Sequence, residues 1–332
     1  WYGQGNVDKE DVNEIYEIIK RQKELDFTTG EKLLDSNSCY FMLAMIVEKV
    51  SHESIRKFAR EHIFAPLGMQ NTLFYDDNTD LIKNRVFSYQ KKKEGVGFDN
   101  LIMRFDLVGS GGVYSSIEDL FLWDQNFYHN ILGKGGQDII KKMHQEGVLN
   151  NGESAGYAFA LNNGTYKGLR TVSHAGALAG YRAQLLRFPD ERFSVIILAN
   201  RDDANPTDKS YQVADILLKD RFKEEPPKNE VSDKKEAKTM KEKEMDMAFV
   251  DEMDYVGNFY SEELDATYKL YVENDLLKLK IANNEPQDLK KINDPDSFIS
   301  NGNLYHFERT DGKVIGFKLD AGRVINLKFK KQ

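Results

Sequence analysis

The stretch Ser173-His174-Ala175-Gly176-Ala177-Leu178-Ala179-Gly180-Tyr181, continuing to Asn200, constrains the fold more than any other part of the chain. Small residues flank a single histidine. Two apolar-rich runs follow, separated by Pro189-Asp190-Glu191-Arg192, and such runs around a short Pro/Asp turn predict a β-hairpin. The same spacing sets His174 at the mouth of the first strand, where Gly176 and Gly180 allow a backbone or a ligand to approach closely.

Composition narrows the function classes. With 332 residues there is room for one large domain and a small one, and 40% hydrophobic with 11% aromatic residues is enough for a packed core. A net charge of −8 argues against nucleic acid, which needs clustered cations. No apolar run approaches the roughly 20 residues needed to span a bilayer as a helix. The single cysteine, Cys39, excludes an internal disulfide and leaves the compartment open. The chain opens at Trp1 with neither an initiator Met nor a signal peptide, as a fragment or processed form would.

Helical spacing of Val12, Ile15, Ile18 and Ile19 predicts an amphipathic helix over 10–25. Asp35, Ser36 and Asn37 can cap a helix that runs from Cys39 to Val50 and, being apolar throughout, should be buried on most sides with Cys39 in the core. A third helix is expected over 53–63, closed by Pro66-Leu67-Gly68-Met69. The polar stretch 76–104, with Lys91-Lys92-Lys93, reads as an exposed loop. Gly109-Ser110-Gly111-Gly112 marks a close backbone approach, and Ser115-Ser116-Ile117-Glu118-Asp119 opens a helix with a capping box. Strands are expected over 156–162, 166–173, 181–188 and 193–200, and a final helix over 208–222. The Lys/Glu-rich stretch 223–250 reads as a solvated linker. Beyond it, short alternating runs such as 267–272 and 276–281, punctuated by Asn301-Gly302 and Asp311-Gly312, predict a small antiparallel barrel or sandwich.

The His-x-Gly triplet at 174–176 resembles the third active-site motif of the serine β-lactamase and penicillin-binding-protein hydrolases, of class C β-lactamase esterase/peptidase type. Leu34-Asp35-Ser36-Asn37-Ser38-Cys39-Tyr40 resembles their Tyr-Ser-Asn-x-Gly-Tyr segment. Residues 30–34, 63–69 and 111–120 fit the same pattern, and 255–260 with 321–327 look like the lipocalin-like β-module often appended to such hydrolases. The resemblance implies an α+β, β-lactamase/transpeptidase-like fold, an antiparallel sheet flanked by helices with a helical lobe, over 1–222. It also implies an all-β barrel or sandwich over 251–332.

Its chemistry is acyl transfer by an activated serine, with a lysine and a tyrosine moving the proton and two backbone N–H groups holding the oxyanion. Carried over by position, Asp35 stands where the family has tyrosine, Asn37 contacts the substrate amide, and His174 is a donor toward the site beside Gly176. Ala177 lends an oxyanion N–H. The family's Ser-x-x-Lys should precede these motifs, and the resemblance puts it N-terminal to Trp1. The two literal matches, Ser54-Ile55-Arg56-Lys57 inside an amphipathic helix and Ser232-Asp233-Lys234-Lys235 in the charged stretch, read as coincidence.

Asp35 reads most simply as an anion at a helix N-terminus. His52, His62, His129, His144 and His306 show no metal-ligand spacing. The expected ligand is a small acyl or peptide-like substrate, without a cofactor or metal. The resemblance suggests an exported bacterial protein and leaves oligomeric state open. The alternative is a non-catalytic member that binds a peptide-like ligand or a partner.

Overall fold

A computed structural model describes residues 12–92, 94–102, 106–223 and 252–332. Packing divides the chain into two compact units, residues 30–229 and residues 1–29 with 230–332. The linker expected over 223–250 falls, but for Lys223, outside the described residues, as do Lys93 and Arg104.

The described helices are α1 Val12–Arg21, α2 Asn37–Ser51, α3 Ile55–Ala59, α4 Ala65–Leu67, α5 Ile117–Asn126, α6 Gln137–Met143 and α7 Pro206–Leu217. In the 30–229 unit the strands are β1 Leu73–Phe74, β2 Tyr89–Lys91, β3 Phe98–Asn100, β4 Val113–Tyr114, β5 Asn162–Tyr166, β6 Leu169–Leu178, β7 Tyr181–Phe188 and β8 Phe193–Ala199. The main sheet is antiparallel in the order β5-β6-β7-β8. Pro189 fixes the turn between β7 and β8, and Arg192 leaves it in the left-handed region at φ 49°. The expected hairpin is therefore β7–β8, while His174 lies well inside the preceding strand, because β6 extends five residues past Ser173 before it turns.

The ladder fixes what each face carries. Val172 opposes Arg187 and His174 opposes Leu185, so His174, Gly176 and Leu178 share a face with Arg187; Ser173, Ala175 and Ala177 point the other way with Arg182, Gln184 and Leu186. On that second face α7 packs, and Leu169, Leu186, Phe188, Ala214 and Leu218 form its core. On the His174 face, Arg187 pairs with Asp124 of α5 at 2.5 Å, and both side chains are almost fully buried. Asp124 also accepts from Ser194, which opposes Arg187 on β8. The guanidinium lies 4.1 Å from the Phe127 ring centroid.

Several expectations need correction. The α2 helix forms where its cap residues predict, with Ser36 accepting from the Cys39 amide, but it is not buried on most sides. Only Phe41 and Ala44 are buried, Cys39 is exposed, and Leu43, Ile46 and Val50 are 51%, 53% and 75% exposed. An apolar sequence buries only the face that another element covers, and one side of α2 meets the Gly109 turn so closely that a Cβ on Gly109 would lie 2.7 Å from that of Ala44.

The third helix starts two residues later than expected, at Ile55, and runs on through a π-helical turn at 60–64 into α4, which contains Pro66 and is closed, within the expected segment, by Gly68 at φ 77°. The stretch read as loop contains the β2–β3 hairpin and a buried Ser88, whose hydroxyl donates to Leu101 O. The first strand expected over 156–162 forms over 162–166 instead, and α6 had no sequence expectation. Ser116 caps α5, but the box is half of one: the Asp119 carboxylate accepts from Asn71 and Thr72 rather than closing back on the cap.

In the other unit the strands are β9 Gly257–Ser261, β10 Ala266–Glu273, β11 Leu276–Ile281, β12 Gln287–Asp288, β13 Lys290–Lys291, β14 Ser297–Ser300, β15 Asn303–Thr310, β16 Lys313–Ala321 and β17 Val324–Lys331. They run in the order β12-β11-β10-β9-β17-β16-β15-β14-β13. The two edge strands are separated in sequence only by Leu289, whose amide donates to Leu277 O, so one continuous segment joins both edges into a nearly closed barrel-like sheet. Its interior is filled by Tyr255, Phe259, Tyr268, Phe298, Phe307, Phe317 and Phe329 among others. Helix α1, expected with the hydrolase unit, belongs to this one: Ile18 packs on the barrel core and Arg21 donates to Glu263 O at 3.1 Å.

Candidate functional site

The β6–β7 turn sets the backbone of the site. Leu178 and Tyr181 flank a two-residue turn, so they form the hydrogen-bonded closing pair, and alternation makes Ala177–Arg182 and Ala175–Gln184 non-bonded pairs. The N–H and C=O of Ala175 and Ala177 are therefore directed away from β7. On that outer side β5 pairs with β6 only as far as Asn162 opposite Ser173. From His174 to Ala177 the strand is exposed, and among the described residues no strand pairs with its outer edge. An edge with outward amides can bind a carbonyl or an extended peptide through backbone hydrogen bonds alone.

Gly180 holds this turn against the β2 hairpin. Its amide donates to Ser88 Oγ at 3.2 Å, and a Cβ on it would lie 2.5 Å from Tyr89 O. Next to it the Tyr181 hydroxyl donates to Val86 O at 2.6 Å, and the Tyr114 hydroxyl donates to that of Tyr181 at 3.3 Å. Burial and the neighbouring phenols push the Tyr114 phenol well above its ordinary range, so it serves as a neutral donor.

Asp35 is half-buried just before the Ser36 cap, and Asn37, the first residue of α2, is exposed. The Tyr157 hydroxyl donates to Asp35 Oδ1 at 3.3 Å. Burial, with the Asp35 charge and Tyr40 adding to it, pushes the Tyr157 phenol far above its ordinary range. Tyr157 in turn bridges Asn162, the residue opposite Ser173. A short relay thus joins the start of α2 to the start of the exposed part of β6.

His174, Gly176 and Ala177 are adjacent on β6, and Asp35 and Asn37 are adjacent at α2. The link between the two groups is Tyr157, and no described hydrogen bond joins Asn37 to His174. Tyr157 has no counterpart in the expected site; the signal available for it was an aromatic among small residues (Ala155-Gly156-Tyr157-Ala158) immediately before a strand.

The literal Ser54-x-x-Lys57 match is occupied structurally. Ser54 is the N-cap of α3 rather than a residue in its middle, with its hydroxyl accepting from the Lys57 amide at 3.2 Å, and the Lys57 ammonium binds Glu53 at 2.7 Å. Ser232 lies outside the described residues. Behind the edge strand, on the α7 face, a cavity of about 260 Å³ is lined by Ala175, Ala177, Arg182 and Thr207. Among the described residues no group of three His, Cys, Asp or Glu is placed to hold a metal ion, and no helix is long and apolar enough to cross a membrane.

Comparison with known proteins agrees with this architecture. The chain is 31% identical over 279 residues to penicillin-binding protein 4* of Bacillus subtilis, an overlap of 77% of this chain and 57% of that protein. It is 26% identical over 201 residues to a D-aminopeptidase of Brucella ovis, covering 60% of this chain and 38% of the relative. The chain therefore spans little more than half the length of the first relative and less of the second. Among solved structures, an octameric penicillin-binding protein homologue from Pyrococcus abyssi superposes with a TM-score of 0.52 at 18% identity, over 91% of this chain and 66% of that one. A penicillin-binding protein from Bacillus halodurans gives 0.51 at 17% identity, over 62% and 63%. Likenesses at that identity speak for the fold. The Beta-lactamase family model matches residues 3–218, a span that takes in α2 to α7 and β1 to β8, and on that match the chain belongs to the beta-lactamase family.

Proposed function

We propose that residues 30–223 form the substrate-binding part of a serine hydrolase that transfers acyl groups from esters or peptides, with its nucleophile outside these 332 residues. The observation that supports this reading is the open outer edge of β6, from which the Ala177 N–H leaves outward close to His174 and Gly176; we assign that N–H the role of oxyanion donor. Asn37, at the exposed start of α2, is the side chain suited to a substrate amide, and Asp35 stands beside it. The relatives named penicillin-binding protein and D-aminopeptidase turn the choice of scissile bond toward the amide of a D-amino acid. Residues 252–332 then act as an appended module, and the bacterial relatives favour a bacterial protein; its export is part of this proposal.

A second reading, a family member that binds a peptide-like ligand without turning it over, is favoured by Asp35 in place of the family's phenol and by the capping role of Ser54. One experiment separates them. The 332-residue chain should not label with a fluorophosphonate probe, and Ser54→Ala should change nothing. A form of the protein that carries Ser-x-x-Lys N-terminal to Trp1 should label at that serine. Labelling of the chain as it stands, abolished by Ser54→Ala, would overturn the proposal; a silent serine in the longer form would favour the binding protein.

A further inference from the structure

We propose that Arg187, Tyr128, His144 and Asn163 enclose a site for ordered water on the His174 face of the main sheet, and that this water anchors the segment carrying Tyr157. The site lies outside the hydrolase reading above and does not depend on it.

Four buried side-chain atoms have no hydrogen-bond partner among the described residues: Arg187 Nη1, the Tyr128 hydroxyl, His144 Nε2 and Asn163 Oδ1. They gather in one place. Asn163 opposes Val172 and Val172 opposes Arg187, so Asn163 and Arg187 project from the same face of the sheet with only β6 between them. Phe127 lies over that face, its ring centroid 4.1 Å from the Arg187 guanidinium and 5.5 Å from the centroid of the His144 ring. The guanidinium also lies 5.1 Å from the centroid of the Tyr128 ring. Asn163 donates its Nδ2 to the His144 carbonyl at 3.1 Å, which ties the last two members together. A buried polar atom left unpaired is costly, and four of them side by side call for a shared partner.

The donors and acceptors say what that partner is. The Asn163 amide nitrogen is spent on His144, so its orphaned atom is an acceptor. Arg187 Nη1 can only donate. Burial, with the Arg187 and Arg170 charges adding to it, holds His144 below the usual imidazole range, so the ring is neutral. A neutral imidazole nitrogen and a phenol can each serve either role. The Asn163 oxygen disfavours an anion and the guanidinium disfavours a metal cation, and Asp124 already meets the arginine's charge. What completes the set is a small neutral molecule that both donates and accepts. Water does so, and buried waters have two to four polar partners of this kind.

His144 and Asn163 bracket the segment that carries Tyr157. Inside it the Gly147 amide donates to Tyr157 O at 3.0 Å, and the Asn163 amide donates to Gly156 O at 2.9 Å. Water held between Arg187 and both ends of this segment fastens it to β7, and with it the hydroxyl that reaches Asp35.

Tyr128→Phe in the 332-residue chain tests the site by the sign of its effect, because the ring beside the guanidinium is kept. A hydroxyl without a partner would be better removed, and the melting temperature of the 30–229 unit would rise. A hydroxyl bonded to held water leaves that water one partner short, and the melting temperature should fall by about 2–4 °C. Hydrogen exchange at the Gly147 and Asn163 amides should speed up about fivefold in the same variant. In the wild type, a nuclear Overhauser cross-peak should join a long-lived water to the His144 ring protons. Its absence, or a melting temperature that is unchanged or raised in Tyr128→Phe, overturns the water site. A lowered melting temperature with unchanged exchange at Gly147 overturns the anchoring of the Tyr157 segment.

Discussion

Removing the Asp124 carboxylate should be the most damaging single change in the 30–229 unit. Arg187 is 1% exposed and Asp124 3%, so Asp124→Ala leaves a guanidinium in the interior with its main partner gone. The replacements within reach are poor: the Asp124 carbonyl stands 3.5 Å from one guanidinium nitrogen, and the other terminal nitrogen, Nη1, has no hydrogen-bond partner among the described residues. Ser194 loses its 2.8 Å acceptor in the same step. Breaking a buried pair from one side costs about 3–5 kcal/mol, whereas replacing both partners by apolar side chains of similar volume is often neutral. Asp124→Ala should therefore lower stability by about 3–5 kcal/mol, a melting shift of roughly 6–20 °C for a unit of this size. The double change Asp124→Leu with Arg187→Met should recover most of it. Urea unfolding followed by Trp123 fluorescence reports on this unit, because Trp123 lies on α5 with its ring 5.4 Å from that of Phe127. A loss below 1 kcal/mol for Asp124→Ala, or a double variant that loses the sum of two large single effects, would refute the argument that burial makes the pair costly to split.

Two further outcomes follow from the geometry around the site. Gly180→Ala places a methyl 2.5 Å from Tyr89 O and 2.7 Å from Tyr89 N, so the β2 hairpin must move off the β6–β7 turn; overpacking of this kind costs about 1–3 kcal/mol, and hydrogen exchange at the Tyr89 amide, now bonded to Asn200 O, should speed up. Unchanged protection there would mean that the hairpin is not held by Gly180. Burial, with Arg187 and Arg170 nearby, holds His144 below the usual imidazole range. The unfolded chain therefore takes up a proton near pH 6.5 that the folded chain refuses, and this contribution to stability is complete above that pH and lost as pH falls below it. The slope of unfolding free energy between pH 7.5 and 5 should flatten in His144→Gln; an identical slope would exclude His144 as its source.

How much of this was legible in the sequence depended on whether the signal was local. The β7 strand at 181–188, the turn at Pro189 and the Ser116 cap were readable because dihedral preference, alternation and capping act within a few residues. The barrel-like sheet was readable for the same reason: its buried Tyr268, Leu270, Leu277, Leu279 and Ile281 recur at period two. Burial of α2 was not, because an evenly apolar helix does not say which of its faces another element will cover. The β2–β3 hairpin was hidden by its polar sequence, since what fixes it comes from afar: Tyr89 N bonds to Asn200 O, and Ser88 meets Gly180. Arg187 was in plain view as the one charge in Leu185-Leu186-Arg187-Phe188, and a lone arginine in an apolar strand does signal a buried partner. Its partner, 63 residues upstream, could not be named from spacing.

The site divides along the same line. His174, Gly176 and Ala177 were found as neighbours in sequence, and the register then shows what the motif alone could not, namely which N–H groups leave the strand outward. The odd-numbered residues Ala175 and Ala177 offer the edge their backbone, while His174 and Gly176 offer it the face shared with α5. The departure at position 35 looked in sequence like a loss, a phenol replaced by a shorter anion. In the fold a phenol does reach that carboxylate, from Tyr157 on a loop 122 residues away. Position 35 thus has its hydroxyl group and its charge on different residues, and the two can be removed one at a time. Tyr157→Phe takes away the hydroxyl and leaves the charge; Asp35→Asn takes away the charge and leaves the hydroxyl. If position 35 is a helix-end anion, Asp35→Asn should lower the stability of the unit by about 0.3–1 kcal/mol, whereas Tyr157→Phe, which keeps that charge at the start of α2, should not remove this term; an Asp35→Asn variant as stable as the wild type would refute the helix-end role.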